Sequence, residues 1–353
     1  MRYPLFFYPV YKERIWGGRK LAEKYSRVLE GNRIGESWEI SCHKNGMGII
    51  RNGELKGIRL DEAIEKYGEE LLGTAIYRED YRKFPLLIKI LDAEDRLSVQ
   101  VHPDDMYAGL HENGELGKTE MWYVISARQG AKLIYGIKSG VDRESFQSSI
   151  EQGRLEDHLQ ELEIAPGDVL YIPAGLVHAI GEGILIYEIQ QNSDTTYRVY
   201  DWNRVDHKGM KRELHIEKAL DVIDFNADQG SILTGLEVEE PGGQRMIYVA
   251  CDYFAMEELR ILGDMELFMD GKRFQVLTCI AGQGTIHYEG GQEDLPSGVT
   301  CLLPASLSRV SISGSCTVIR SFVPDKEENF IKPLLKRGYT RRQLDAIAGL
   351  MEG

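Results

Sequence analysis

Short apolar runs broken by Gly, Pro, Asn and Asp recur along most of this chain, and their spacing constrains the fold more than any other feature. Residues 84–91, 120–125, 131–135, 168–172 and 184–189 each have the length of one strand, and similar runs resume at 246–251, 254–259, 274–280 and 284–288. Many short strands separated by turn residues predict a mainly β protein built as a sandwich or barrel. Helical periodicity is confined to 60–72, to 142–160 in one or two pieces, and to 215–222, pieces short enough to pack outside a β-core. A chain of 353 residues exceeds one ordinary core. The expected division is an N-terminal catalytic domain with peripheral helices over 1–235, a second β domain over 236–324, and a helical tail over 325–353. In that tail Thr340-Arg-Arg-Gln has the form of a capping box opening a helix through Leu350. Its basic residues fit a solvated helix face better than a partner surface.

One segment recurs. Gly298-Val-Thr-Cys-Leu-Leu-Pro-Ala-Ser-Leu-Ser-Arg follows the pattern of Gly167-Asp-Val-Leu-Tyr-Ile-Pro-Ala-Gly-Leu-Val-His, with Arg309 in the place of His178. Either two related barrels exist, the first alone able to hold a metal, or a strand-turn-strand pattern has recurred by chance. The formal charge of −14 (42 Lys+Arg against 56 Asp+Glu) disfavours nucleic acid and anionic membranes as partners, so an anionic substrate must meet a locally basic pocket. Five widely spaced cysteines without a CxxC pair predict reduced thiols in a cytoplasmic protein and no zinc–thiolate site. No stretch approaches the ~18 consecutive apolar residues of a membrane span, and the N-terminus reads as unexported.

The chemistry concentrates in the first half. Leu97-Ser-Val-Gln-Val-His-Pro sets Gln100 and His102 two residues apart, on one face of a strand. Gly117-Lys-Thr-Glu-Met-Trp-Tyr-Val carries Glu120, and Pro173 and Gly175 predict a turn that presents His178 at a barrel rim. A lone strand histidine is usually a hydrogen-bonded core or surface residue. An amide, a carboxylate and two imidazoles together form a donor set for one Zn²⁺ per chain, with Mn²⁺, Co²⁺ or Fe²⁺ compatible. With one anionic ligand the centre keeps positive charge, able to polarise a hydroxyl or carbonyl oxygen. Lys118 shares a strand face with Glu120 and Trp122. Buried without a partner it would be costly, so it faces an anionic or hydroxyl-rich ligand, or else pairs with a carboxylate such as Asp194 or Glu188. The polar segment 186–204 adds Glu188, Asp194, Arg198 and Arg204, a carboxylate base and guanidinium forks suited to phosphate. Alternatively Tyr197, Tyr200 and Trp202 mark aromatic packing, with the arginines in surface ion pairs.

These motifs, with Glu13-Arg-Ile-Trp-Gly-Gly, Ile34-Gly-Glu-Ser-Trp-Glu-Ile-Ser and Ser193-Asp-Thr-Thr-Tyr-Arg, resemble the type I phosphomannose isomerases in their short bacterial form over most of residues 1–320. The resemblance implies two cupin-type β-barrels (jelly rolls) with a few peripheral helices, and zinc held by Gln100, His102, Glu120 and His178. It implies catalytic roles for Arg198, Glu188 and Lys118, and substrate or phosphate contacts from Ser98, Lys89, Arg204 and Asp194. The tail after about residue 325 has no counterpart in it. The implied activity is the interconversion of mannose 6-phosphate and fructose 6-phosphate in cytoplasmic carbohydrate metabolism, by a monomer or homodimer with a small phosphosugar as its partner. Such an isomerase removes a proton from C2, passes through a cis-enediol and returns a proton to C1, so one group serves as base and then acid. Glu188 is the base candidate. Arg198 or Lys118, with the metal, would stabilise the enediolate oxygens while phosphate contacts hold the reacting carbons. Two other classes share the scaffold. A cupin oxygenase predicts iron or copper and an apolar pocket, against the cationic residues here; a noncatalytic sugar-binding cupin leaves the four ligands and Arg198 without a purpose.

Overall fold

The apolar runs form strands nearly where their spacing puts them, and what the register adds is the juxtaposition of their few polar members. The computed structural model describes residues 2–77, 84–205, 209–227 and 231–351. The chain divides into two units, one of residues 11–37 and 89–232, the other of residues 1–10, 38–88 and 233–353. A junction falls at 232/233, near the expected 235, and three further junctions at 10/11, 37/38 and 88/89 make both units discontinuous.

The unit containing residues 89–232 carries every residue singled out above as a site candidate. One sheet runs in the order Leu159–Glu163, Lys132–Ile137, His178–Ala179, Val99–Val101, Tyr197–Tyr200. The second runs Val169–Ile172, Glu120–Ala127, Ile184–Gln191, Leu86–Ala93, Val10–Gly18, Ile34–Ile40. Strand Ile184–Gln191 is buried along its whole length, which explains its nearly continuous apolar sequence. The few polar groups it takes inside, Glu188 and Gln190 among them, must therefore find partners. Apolar cores flank the sheets, one around Trp16, Trp122, Leu170 and Ile186, another around Val99, Val101, Phe146 and Tyr197. The periodic stretch 142–160 resolves into helix Arg143–Glu151, capped by Asp142 through its carboxylate, a turn at Leu155–His158, and the start of strand Leu159–Glu163. Helix Ile216–Val222 begins one residue after the expected start.

In the other unit a ten-stranded sheet runs Leu236–Glu240, Gly243–Ala250, Ala255–Ile261, Val310–Phe322, Gln275–Tyr288, Thr300–Leu303, Leu5–Tyr8, Ile49–Ile50 along its main path. The runs 274–280 and 284–288 are one strand, carried through a register shift between Cys279 and Ala281. Helix Leu60–Leu72 has the predicted bounds. The protein is mainly β, as expected, and through the pairings of the described residues no sheet closes on itself.

The tail differs from expectation. Thr340 does form the capping box with Gln343, but the helix it opens, Arg341–Leu344, is a single turn. Beyond it Ala348 bridges to Val249, its N–H donating to the Tyr248 carbonyl at 3.0 Å and its carbonyl accepting from Ala250 N–H at 2.9 Å. Tertiary pairing thus overrides the helical pattern through Leu350. The tail packs into the core: Phe330, Leu334, Leu344, Ile347 and Leu350 are buried against Leu236, Val238, Ile247, Ala255 and Phe322.

The repeated segment has a repeated conformation. Gly167 and Gly298 both take positive φ (95° and 83°), each precedes a four-residue strand, and Leu176 and Leu307 donate to the carbonyls of Pro173 and Pro304 at 3.2 and 3.1 Å. His178 is buried, whereas Arg309 is exposed. Among the described residues no helix is long and apolar enough to cross a membrane.

Candidate metal centre

Strand register assembles the centre. In one sheet Gln100 lies opposite both His178 and Arg198; in the other Glu120 lies opposite Ile172 and Gln190, and Trp122 opposite Glu188. The turn before His178 depends on Gly175, at φ 88°, where a Cβ would meet the Val222 carbonyl oxygen at 3.0 Å. Its N–H donates to the His102 carbonyl at 2.9 Å, tying the two histidine segments together.

His102, Glu120 and His178, each no more than 1% exposed, bring one ligand atom apiece within 4.8 Å of one another. Glu120 Oε2 lies 3.5 Å from His102 Nε2, and Oε1 lies 3.4 Å from His178 Nε2. Each ring fixes its own tautomer. His102 Nδ1 is 2.9 Å from the Thr195 carbonyl and His178 Nδ1 is 2.9 Å from the Leu176 carbonyl. A carbonyl only accepts, so Nδ1 carries the proton and Nε2 turns a lone pair inward. Burial drives both imidazoles toward the neutral form, with Lys118 adding to the effect; His178 falls to about 3 and His102 well below its ordinary value. Glu120 Oε1 is buried with no hydrogen-bond partner among the described residues. Two inward lone pairs and an unsatisfied carboxylate oxygen fit a cation. Gln100 completes the expected four, its Nε2 lying 3.3 Å from His178 Nε2. A half-turn of that amide presents Oε1 instead.

Lys118 settles one open alternative. Its ammonium meets neither Asp194 nor Glu188 but donates to Glu120 Oε2 at 2.5 Å and to His102 Nε2 at 2.9 Å. It also lines a cavity of about 490 Å³, as do Lys89, Ser98, Gln100, Glu188, Asp194 and Arg198. The two histidines and Glu120 lie behind Gln100 and Lys118 and do not line it.

Glu188, 3% exposed, accepts from Trp122 Nε1 at 3.0 Å through Oε1 and pairs with Lys89 Nζ at 3.3 Å through Oε2. Burial and then the Glu120 charge push its carboxyl above the usual range, against the opposing pull of Lys89 and Lys118. Burial pulls the Lys89 ammonium down, but Glu188, Glu36, Asp194 and Glu120 outweigh it and the net shift is upward. Arg198 Nε donates to Ser98 Oγ at 3.1 Å and Nη1 to the Glu213 carbonyl at 2.9 Å.

Arg204, expected at the phosphate, is the exception. It does not line the cavity: Nη2 pairs with Asp201 at 2.5 Å, and Nη1 with Asp95 at 3.3 Å and with the Arg96 carbonyl at 2.5 Å. Three partners hold its fork away. The aromatic alternative is partly realised beside it, since Tyr197 is core and Trp202 stacks under Arg96. Sequence reasoning did not assign Arg14, Trp16, Glu36 or Arg212, which also line the cavity. The first three lie in motifs quoted for the resemblance, and the signal for Arg212 was only its polar neighbourhood.

Residues 5–121 match the family described as phosphomannose isomerase type I, catalytic domain, and residues 244–323 match mannose-6-phosphate isomerase, cupin domain. A Bacillus subtilis (strain 168) protein named probable mannose-6-phosphate isomerase GmuF is 42% identical over 318 residues, covering 90% of this chain and 98% of that one. The mannose-6-phosphate isomerase of Streptococcus mutans is 39% identical over 321 residues, 91% of this chain and 98% of its own. The crystal structure of the mannose 6-phosphate isomerase from Bacillus subtilis superimposes with a TM-score of 0.84 at 37% identity, covering 90% of this chain and 99% of that one.

Proposed function

Because this chain belongs to the type I phosphomannose isomerase family, we propose that it interconverts mannose 6-phosphate and fructose 6-phosphate through a cis-enediol, with one divalent metal, Zn²⁺, per chain. The observation that carries the reading is the buried His102–Glu120–His178 cluster, touched by Gln100 and Lys118, which open onto the same cavity as Glu188 and Arg198. Gln100, His102, Glu120 and His178 would hold the cation. Once bound it supplies Lewis-acid polarisation of sugar oxygens.

The remaining work falls to the protein's own groups. Glu188 takes the C2 proton and returns it at C1; its raised carboxyl range suits a group that must both accept and release a proton. Lys89 holds it by ion pairing and Trp122 by a hydrogen bond. Lys118 and Arg198 are the cations for the enediolate oxygens; Lys118, which donates to Glu120, would be free to turn to the sugar where that carboxylate holds a cation. Ser98 and Asp194 contact the substrate, Ser98 toward the phosphate. We read the site as lying in the first of two cupin-type barrels, with residues 236–324 as the second and 325–353 as the tail; the cupin-domain match of residues 244–323 supports the second. Unbridged cysteines fit a cytoplasmic setting.

The test is a coupled assay of fructose 6-phosphate formation from mannose 6-phosphate, before and after chelation. The reading predicts turnover that chelation removes and Zn²⁺ restores. Turnover unaffected by complete metal removal, or none in the metal-replete protein, refutes it.

A further inference from the structure

We propose that Arg212, which lies in none of the motifs above, is the arginine that binds the substrate phosphate beside Arg198 and Ser98, in the place expected of Arg204. The inference rests on the reading of this cavity as a phosphosugar site and follows from the distribution of charge and free donors around Asp201.

Three guanidinium groups, those of Arg198, Arg204 and Arg212, surround one buried carboxylate, Asp201, 6% exposed. Asp201 takes Arg212 in a two-pronged pair, Nε to Oδ2 at 2.7 Å and Nη2 to Oδ1 at 2.5 Å, and also takes Arg204 Nη2 at 2.5 Å. Arg204 has Asp95 as a second anion. Arg198 has none within ion-pair distance among the described residues; its Nε and Nη1 are spent on a hydroxyl and a carbonyl. Arg198 and Arg212 both line the cavity, and each leaves one terminal nitrogen, Nη2 and Nη1 respectively, without a partner among the described residues. Arg198 and Arg212 face one cavity, with Asp201 shared between Arg212 and Arg204, and a phosphate dianion would accept from the one free terminal nitrogen of each.

Ser98, which accepts from Arg198, immediately precedes the strand Val99–Val101 that carries Gln100, so the Arg198–Ser98 pair lies next to the metal-centre residues. Arg212 is also held firmly: it precedes Glu213, whose carbonyl receives Arg198, and His215, whose N–H donates to the Arg198 carbonyl at 2.8 Å. The segment and the strand bearing Arg198 therefore position one another.

The experiment compares the metal-loaded wild type with Arg212→Met, Arg212→Lys and Arg204→Met. Inorganic phosphate is the calorimetric probe, and mannose 6-phosphate kinetics run in parallel. Arg212→Met is expected to weaken phosphate binding and raise KM by ~10- to 100-fold, the effect of losing charge-assisted hydrogen bonds, with kcat changed far less and metal content unchanged. Arg212→Lys, which keeps the charge but not the fork, should fall between wild type and Arg212→Met and guards against misfolding of the latter. The Arg204→Met effect should be at least tenfold smaller. Phosphate binding that survives Arg212→Met, an equal or larger loss in Arg204→Met, or no phosphate binding by the wild type overturns the assignment. Because calorimetry needs no turnover, phosphate binding that depends on Arg212 in a protein inactive on mannose 6-phosphate would uphold the clamp while the isomerase reading fails.

Discussion

Replacing Glu188 by Gln separates proton transfer from everything else the site does. The side chain keeps its volume and can still accept from Trp122 Nε1, now 3.0 Å away, but it can no longer take a proton from carbon. Losing a positioned general base lowers kcat by ~10²- to 10⁴-fold, or ~2.7–5.5 kcal/mol of barrier at about 1.4 kcal/mol per tenfold. Structural damage should be limited. Lys89 loses the anion 3.3 Å from its ammonium, yet Glu36, Asp194 and Glu120 still act on it, so the destabilisation stays below the ~3–5 kcal/mol of an uncompensated buried charge. Metal content and phosphate affinity should stay at wild-type values, because Glu188 is neither among the ligands nor among the groups assigned to phosphate. The coupled assay reads kcat, and washout of deuterium from C2 of labelled mannose 6-phosphate reads proton abstraction directly. A kcat within tenfold of wild type, with washout intact, would remove Glu188 from the base role.

The same carboxyl gives a pH prediction. Its value is raised above 4.5, so activity should climb as pH rises through that higher value, and Lys89 is one of the groups holding it down. Lys89→Met should therefore move the acidic limb of log kcat upward; a limb that stays put or moves down contradicts the pairing. In the tail, Phe330, 1% exposed and stacked on Phe322, should cost ~3–5 kcal/mol as Ala and lower the midpoint of thermal unfolding by calorimetry. An unshifted midpoint would mean the tail does not contribute to the core.

How much of this was legible in the sequence depends on the range of the interactions involved. A period of two is local and sets Lys118 beside Glu120: Lys118 lies just before the strand Glu120–Ala127 rather than in it, and the two side chains meet at 2.5 Å. The capping box at Thr340 is equally local and is present. Where that helix ends is not local: the backbone of Ala348 pairs with Tyr248 and Ala250, about a hundred residues away in sequence. The placement of the arginines is not legible in the sequence for the same reason. Arg204 and Arg212 are both basic residues near a polar strand, and only the placement of Asp201, Asp95 and the Arg96 carbonyl separates the one turned away from the one lining the cavity. Likewise burial of Lys118 requires a carboxylate or a ligand, and the fold supplies Glu120 as the carboxylate.

On the proposed reading one metal ion would join two sheets through His102, Glu120 and His178, whose donor atoms already face each other. Anomalous diffraction at the zinc absorption edge, from crystals of active protein, should show a single strong peak ~2.0–2.2 Å from Nε2 of His102, Nε2 of His178 and a Glu120 carboxylate oxygen, with the Gln100 amide turned toward it. A fully active crystal with no peak there, or with its metal bound elsewhere, would contradict it.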